Sequence, residues 1–292
     1  MAWLELTLRI PAEDFPQAEA LMQLAGALSI TLSDDGDSPI LEPEPGTTPL
    51  WPQITARALF DAAVDPGAVT ALLNPIAAGQ LDIEHIDDAA ISAAQREPIL
   101  PVEIGPRLTI VPAEALGHAD ARTLGLHMGL AFGTGQHPTT RLCLEWMERE
   151  MPAGLRVLDY GAGSGVLALA ALKLGAVEAT AVDNEPQALL AAQRNAELNG
   201  LQESIRIGQP ELLGAEQYDL IFANILARPL IDLADEFAQR QPGGGWIVLS
   251  GILTTQIDAV EAHYQTAYDR FDRRDLAGWG VLTGTRRSEY DK

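Results

Sequence analysis

Hydrophobic and polar residues alternate along the first 90 residues in a pattern that predicts four strands and two helices. The predicted strands span residues 3–10, 27–32, 54–60 and 81–86, and the helices begin near Pro11 and Asp65. The order strand–helix–strand–strand–helix–strand is that of a ferredoxin-like α+β domain, which we predict for residues 1–88. Residues 33–52, rich in Asp, Pro, Gly and Thr, are predicted to form a loop inside this domain.

From residue 156 onward, apolar strands alternate with amphipathic helices. The predicted strands span residues 156–160, 179–183, 204–207, 218–223 and 246–250. This alternation predicts a doubly wound, Rossmann-like α/β sheet, which we assign to a domain of residues 107–292. A short strand is predicted at 108–112, and residues 89–106, rich in Ala, Pro and charge, are predicted to be a linker helix or hinge.

The charge of the chain indicates which kind of partner it can bind. The net charge is −22, and residues 1–100 alone hold 16 acidic and three basic side chains. Such a surface repels nucleic acid backbones and attracts basic proteins, so we expect no direct nucleic acid partner. The alternative is that the acidity only keeps the protein in solution.

Cysteine usage and hydropathy indicate the compartment. Cys143 is the single cysteine, which excludes an internal disulfide and is typical of a reducing compartment. The start of the chain lacks the basic and apolar regions of a signal peptide, and no apolar run is long enough for a membrane span. We therefore expect a cytoplasmic protein. We also expect a monomer. The spacing of His118, His127 and His137 matches no common ligand pattern, so no metal site is predicted.

The strongest chemical signal lies at residues 157–165, where an apolar strand ends in Asp159 and is followed by Gly161, Gly163 and Gly165. Glycines permit a tight turn and let a ligand approach the backbone. A dinucleotide fingerprint would need its third glycine at Val166. The observed spacing instead resembles the first motif of methyltransferases that use S-adenosylmethionine (SAM), and the alternative is a glycine-rich turn without a ligand.

Two further strand ends carry polar residues. Asp183 ends the second strand of the α/β domain, where an acid can accept both hydroxyls of a ribose, or can cap the helix near Pro186. Asn224 ends the fourth strand, where methyltransferases often place an acceptor-facing residue, and its alternative role is a helix cap. Ile225 and Leu226 replace the Pro-Pro-aromatic run of adenine and glutamine methyltransferases, which argues against those substrates.

Four segments together resemble the PrmA family, whose members methylate protein eleven of the large ribosomal subunit. The segments are residues 132–140 (FGTGQHPTT), 157–165 (VLDYGAGSG), 223–227 (ANILA) and 249–256 (LSGILTTQ). The resemblance covers nearly the whole chain. It implies SAM as the cofactor, with contacts at Thr140, Gly161, Asp183 and Asn224. It also implies that the N-terminal domain binds the basic ribosomal protein, and that lysine ε-amines and an α-amine are methylated.

The chain departs from the family pattern at three places. Ala162 stands where the family usually has Cys, residues 127–129 (HMG) replace Asp-Pro-Gly, and residues 91–101 lack the usual tryptophans. The alanine is small enough to fit. The other two changes concern the substrate side of the enzyme more than cofactor binding.

A neutral amine is required for attack on a methyl sulfonium. We hypothesise that Phe132, Ile225 and Leu226 form an apolar slot that lowers the pKa of the amine, while Asn224 orients its lone pair. No general base is apparent in the sequence. Two alternatives remain: a SAM methyltransferase for another protein or a small molecule, and a SAM-binding module without activity.

Overall fold

The computed structural model describes residues 2–34, 50–77, 81–87, 101–118, 122–127 and 136–288. The chain divides into two compact units, residues 1–98 and residues 99–292. Each unit has hydrophobic core clusters of its own. Phe132 lies outside the described residues, so its role in the apolar slot stays a prediction.

The first unit is a four-stranded antiparallel sheet with two helices. Its elements are β1 (Ala2–Pro11), α1 (Phe15–Leu24), β2 (Ser29–Asp34), β3 (Gln53–Asp61), α2 (Pro66–Ala77) and β4 (Leu81–Asp87). The strand order is β2-β3-β1-β4, and both the element order and the sheet agree with the predicted ferredoxin-like arrangement. Leu4, Leu6 and Leu8 are fully buried against residues of both helices. Since side chains alternate along a strand, Glu5 faces away from that core.

The second unit begins with a small sheet of three short strands. These are β5 (Val102–Gly105), β6 (Leu108–Pro112) and β7 (Thr123–Leu126), in the order β5-β6-β7. The prediction of a linker up to residue 106 is therefore wrong at its end, because β5 pairs antiparallel with β6. The turn between them is held by Glu148, whose Oε1 accepts a hydrogen bond from the Arg107 backbone at 3.2 Å. Residues 88–100 lie outside the described residues.

The centre of the second unit is a seven-stranded mixed sheet covered by helices on both faces. Its strands are β8 (Arg156–Tyr160), β9 (Glu178–Val182), β10 (Ile205–Gly208), β11 (Leu220–Asn224), β12 (Trp246–Leu253), β13 (Tyr268–Leu276) and β14 (Trp279–Arg286). Its helices are α3 (Pro138–Glu150), α4 (Val166–Lys173), α5 (Pro186–Leu198), α6 (Ala227–Asp232), α7 (Ala234–Gln239) and α8 (Ile257–Tyr264). Two separate core clusters fill the two faces, with α3–α5 on one and α6–α8 on the other.

The strand order of this sheet, β10-β9-β8-β11-β12-β14-β13, fixes where a ligand binds. The five strands from β8 to β12 are parallel, as predicted, and β14 and β13 form an antiparallel extension that was not predicted. The chain runs from β8 outward to β10 and then returns to β11 on the other side of β8. In open α/β sheets, ligands bind at the carboxyl ends of the strands at such a reversal point. The expected site therefore lies where β8 and β11 end.

Candidate active site

The glycine turn, residues 161–165, follows directly from the end of β8. Gly161, Gly163 and Gly165 have φ values of +76°, +53° and +77°, which side chains disfavour and glycine adopts freely. The amides of Gly161 and Ala162 both donate to the Val182 carbonyl at the end of β9, at 2.8 and 3.0 Å. The backbone therefore leaves β8 in a fixed tight turn, and α4 begins immediately after it.

Asp183 holds the glycine turn from the neighbouring strand. Its Oδ2 accepts the Gly163 amide at 2.9 Å, and its Oδ1 accepts the Glu185 amide at 2.9 Å ahead of α5. The carboxylate thus bonds the backbone just before α5 and also contacts the turn, but it does not cap the helix, whose cap position is Glu185. A carboxylate has about four lone-pair sites, so two acceptor positions remain for the hydroxyls of a ribose.

Asp159 lies beneath the same turn, with 1% of its surface exposed. Its Oδ2 accepts the Ala168 amide at 3.0 Å, in the first turn of α4, where the helix dipole favours an anion. Its Oδ1 is buried without a hydrogen-bond partner among the described residues. Burial raises the pKa of this carboxyl to about 7, with a further contribution from Asp183. An unpaired buried acceptor of this kind is costly unless a ligand donor completes it.

Thr140 and Asn224 meet at the end of β11, as their predicted shared site requires. Tyr160 pairs with Ala223, so Asn224 stands level with Gly161 across the reversal point. Its Nδ2 donates to Thr140 Oγ1 at 3.3 Å, and Thr140 is buried in the first turn of α3. The structure shows no capping bond from Asn224, since the cap position of α6 is Leu226.

Ile225 and Leu226 continue from Asn224 along one edge of the site. A Cβ on Gly161 would fall on Ile225 Cγ2, so the glycine lets the Ile225 side chain lie directly over the turn. On the opposite side, the Ile225 backbone passes Gly251, where a Cβ would come within 2.5 Å of the Ile225 carbonyl oxygen. Gly251 sits at the irregularity of β12 with φ +80°. Leu226 is 50% exposed and presents an apolar surface to solvent.

His137 is a neighbour of the site that the sequence did not single out for this role. Its side chain caps α3, because Nδ1 accepts the Thr139 amide at 3.4 Å, and Nδ1 also lies 2.7 Å from Thr139 Oγ1. The ring packs edge-on against Trp279, with 5.1 Å between ring centroids. Burial lowers the pKa of His137, so the ring is neutral at pH 7. The Pro138 that follows at the first helical position was the sequence signal for a cap here.

Cys143 lies one turn beyond Thr140 on α3 and is fully buried. Burial raises its pKa to about 12, and a thiol that stays protonated is neither a nucleophile nor a metal ligand. No group of three His, Cys, Asp or Glu side chains that could hold a metal ion occurs in the part of the chain that the structure describes.

The residues at the reversal point fit SAM. Asp183 retains acceptor positions beyond its two backbone bonds, the glycine turn permits close backbone approach, and Asp159 Oδ1 is a buried acceptor without a partner among the described residues. The fold and the site together define a class of enzyme, the SAM-dependent methyltransferases.

Comparison with known proteins gives the family. The family model described as ribosomal protein L11 methyltransferase (PrmA) matches residues 2–287, and the chain belongs to this family. Ribosomal protein L11 methyltransferases of Pseudomonas paraeruginosa and Alkalilimnicola ehrlichii are 42% and 43% identical to it, over 99% and 97% of this chain and 100% and 98% of theirs. The sequence of a ribosomal protein L11 methylase from Lactobacillus delbrueckii subsp. bulgaricus, whose crystal structure is known, is 32% identical. The match covers 65% of this chain and all of that chain, at a TM-score of 0.58.

Among the helices that the structure describes, none has the length and apolar content needed to cross a bilayer.

Replacing Gly161 with alanine is expected to weaken SAM binding about tenfold, in addition to the roughly 1–2 kcal/mol that a left-handed alanine costs the fold. The added methyl group would displace Ile225 from the turn. Gly200→Ala is the matched control, because Gly200 has φ +66° and nothing within 4 Å of a Cβ. Calorimetric titration with SAM and thermal unfolding measure the two effects. Equal SAM affinities for the two variants would contradict the role of Gly161.

Proposed function

We propose that this methyltransferase modifies amines of ribosomal protein L11, namely lysine ε-amines and the α-amine. The proposal is supported by the matched relatives, which carry this substrate in their names and align over almost their whole length. The structural observation that supports methyl transfer at this place is that Asn224 and Thr140 meet at the end of β11, where Asn224 Nδ2 donates to Thr140 Oγ1. We further propose that the protein acts in the cytoplasm as a monomer.

SAM supplies an electrophilic methyl group on a sulfonium, and the protein contributes position and electrostatics. We assign cofactor contacts to Thr140 and Asn224 and, around the glycine turn, to Asp159, Gly161, Gly163, Gly165 and Asp183. The Asp183 carboxylate and the turn are already bonded to each other at 2.9 Å, so the two contacts are preorganised. Preorganised groups lose little further freedom when a ligand binds.

The acceptor amine is proposed to lie at the end of β11. Asn224 is half-buried, and its Oδ1 accepts no hydrogen bond from the described residues. An amide oxygen held in this way can accept an amine N–H and so direct the nitrogen lone pair. Ile225 and the exposed Leu226 supply the apolar surface along which a lysine side chain can lie.

The amine has to be neutral before it can attack. With a reference pKa near 10.4, deprotonation of lysine at pH 7 costs roughly 4–5 kcal/mol. His137 is not suited to remove that proton, because its Nδ1 accepts the Thr139 amide at 3.4 Å, and its neutral ring then carries hydrogen on Nε2. We propose that the amine loses its proton to water, and that desolvation beside Ile225 and Leu226 favours the neutral form.

The methylation rate is expected to rise with pH in a way that identifies the amine. For a lysine target, kcat/KM should increase about tenfold per pH unit from 7 to 9, because the neutral fraction grows. For the α-amine, with a reference pKa of about 7.7–8.0, the increase should level off above pH 8. Initial rates combined with mass spectrometry of each site measure both profiles.

Asp159 titrates near the lower end of this range, so the affinity for S-adenosylhomocysteine should be measured at each pH as a control. If kcat/KM for lysine methylation did not change with pH, under conditions where methyl transfer limits the rate, this would contradict the proposal that the amine loses its proton to water before it attacks.

The first unit is proposed to capture the basic substrate. Glu5 on β1 lies directly opposite Glu84 on β4, on the sheet face away from the helices. Like charges in directly opposed positions destabilise a sheet, so this pair does not serve the fold. It fits instead a surface that attracts a lysine-rich partner, in a region of net charge −13 over residues 1–100.

Radioactively labelled SAM provides the direct test of the substrate. The enzyme is added to an extract of cells that lack it, and the proposal requires one labelled ribosomal protein with the mobility of L11. Label in another protein or only in the small-molecule fraction would favour a different acceptor. SAM binding without any labelled product would favour a binding module.

A further inference from the structure

Asn195 on α5 is the most completely buried polar side chain that contacts the glycine turn. It has 0% of its surface exposed, and both ends of its amide are bonded. Nδ2 donates to the Ser164 carbonyl at 2.9 Å, and Oδ1 accepts the His127 amide at 2.7 Å. One side chain thus joins the turn to the backbone that leaves β7, across sequence separations of 31 and 68 residues.

Asn199, one helical turn later, makes a similar set of bonds to a different place. Its Oδ1 accepts the Gly125 amide at 2.9 Å, and its Nδ2 donates to the Gly125 carbonyl and to the Asn195 carbonyl, each at 2.7 Å. These bonds satisfy the edge of β7 in the way that a neighbouring strand would. None of them reaches the glycine turn.

The segment from β9 to α5 contacts three consecutive residues of the turn. Asp183 accepts the Gly163 amide, Asn195 donates to the Ser164 carbonyl, and Ala192 packs against Gly165, where a Cβ would lie 3.0 Å from the Ala192 Cβ. Orienting the Ser164 carbonyl also orients the peptide plane that carries the Gly165 amide. The conformation of the turn therefore depends on Asn195 as well as on its glycines.

We propose that Asn195 is a positioning residue for SAM binding: its amide holds the Ser164 carbonyl and ties the glycine turn to the end of β7. The proposal rests on the assignment of the cofactor to the glycine turn. A supporting shell of buried hydrogen bonds is what keeps a binding site in its productive geometry. If Asn195 only stabilised the packing of α5, its removal would lower stability without a selective effect on SAM.

Asn195→Asp keeps the acceptor for His127 and removes the donor to Ser164, while Asn199→Asp is the matched control one turn away. Both are measured in the full-length enzyme by calorimetry with S-adenosylhomocysteine, by thermal unfolding, and by steady-state kinetics. We expect Asn195→Asp to lower the affinity for S-adenosylhomocysteine and raise KM for SAM about tenfold or more, with kcat at saturating SAM little changed. Asn199→Asp should lose stability to a similar extent and keep its affinity within about twofold of the wild type.

If the buried carboxylate prevents folding, Asn195→Ala replaces it, with the same expected loss of affinity. The side-chain amide resonances of Asn195 in the wild-type protein give an independent measurement, since they should shift on S-adenosylhomocysteine binding more than those of Asn199. Wild-type affinity in the Asn195 variants, or an equal loss in both Asn195 and Asn199 variants, would overturn the proposal. An Asn195 variant that binds normally while Asp183→Ala does not would leave the cofactor site intact and refute only the role of Asn195.

Discussion

Asp183→Ala is expected to lower the affinity for SAM by about 2–4 kcal/mol, roughly 30- to 1,000-fold in the dissociation constant. Two kinds of interaction are lost together. The first is the pair of hydrogen bonds that we assign to the ribose hydroxyls, and the second is the 2.9 Å bond that holds the Gly163 amide. Calorimetric titration of the full-length variant with SAM measures the effect.

The control for this variant separates ligand contacts from local structure. Asp65 Oδ1 accepts the Gly67 amide at 2.9 Å, which is the same two-residue bond that Asp183 Oδ1 makes with Glu185. Asp65→Ala should therefore reproduce the loss of this two-residue bond and leave SAM binding unchanged. An unaltered dissociation constant in Asp183→Ala would remove Asp183 from the cofactor site.

Removing residues 1–98 is expected to reduce kcat/KM for whole L11 by at least about 100-fold, because positioning is most of what the protein contributes to this reaction. SAM affinity should change little, since every proposed cofactor residue lies at Thr140 or beyond in the second compact unit. The loss should be greatest at low ionic strength, where attraction between an acidic and a basic protein is strongest. Filter assays of methyl transfer and calorimetry with SAM provide the two measurements.

If the truncated protein is insoluble, a full-length variant tests the same proposal that the first unit captures L11. Glu5→Lys with Glu84→Lys reverses the charge on the sheet face of the first unit. Glu13→Lys with Glu19→Lys makes the same net change just before α1 and within it. The first pair should raise KM for L11 several times more than the second. Equal effects of the two pairs would show that net charge, and not this face, governs capture.

The sequence predicted those parts of the site in which one short segment carries the whole signal. Gly161, Gly163 and Gly165 follow a strand directly, and the positive φ of all three agrees with the tight turn that their spacing indicated. Asp183 and Asn224 stand at the ends of apolar runs, so the alternation of strands and helices was enough to bring them to one edge of the sheet. Their cofactor contacts remain predictions that the binding measurements above will test.

Strands with weak hydrophobic patterns were not predicted. β13 is an edge strand with Asp and Arg at most positions, because an exposed edge is protected by charge, and this hides its strand character. β5 and β7 have four residues each and, unlike the equally short β10, do not lie within a regular alternation of strands and helices that would indicate them. Their positions are fixed by distant groups, such as Glu148 at the β5–β6 turn and Asn199 at β7.

Contacts between residues far apart in the chain could not be predicted from the sequence either. Asn195 looks like an ordinary helical residue until its two partners, far apart in the chain, are placed on either side of it. His137 attracted notice as a possible metal ligand, whereas its contacts are with Thr139 and the ring of Trp279. The bonds of Asn195 and the contact between His137 and Trp279 have no fixed spacing in the chain, so only the folded structure reveals them.

Because Cys143 is buried, its reactivity can be used to measure local opening of the structure. Cys143 is the single thiol of the chain, lies fully buried on α3, and is one turn from Thr140. A thiol reagent can reach it only when that helix lifts from the sheet, so the labelling rate under native conditions records the free energy of this local opening. Ligands that bind the closed form slow the reaction in proportion to their occupancy. The helix that carries Thr140 can thus be followed in unmodified protein, without introducing a foreign probe.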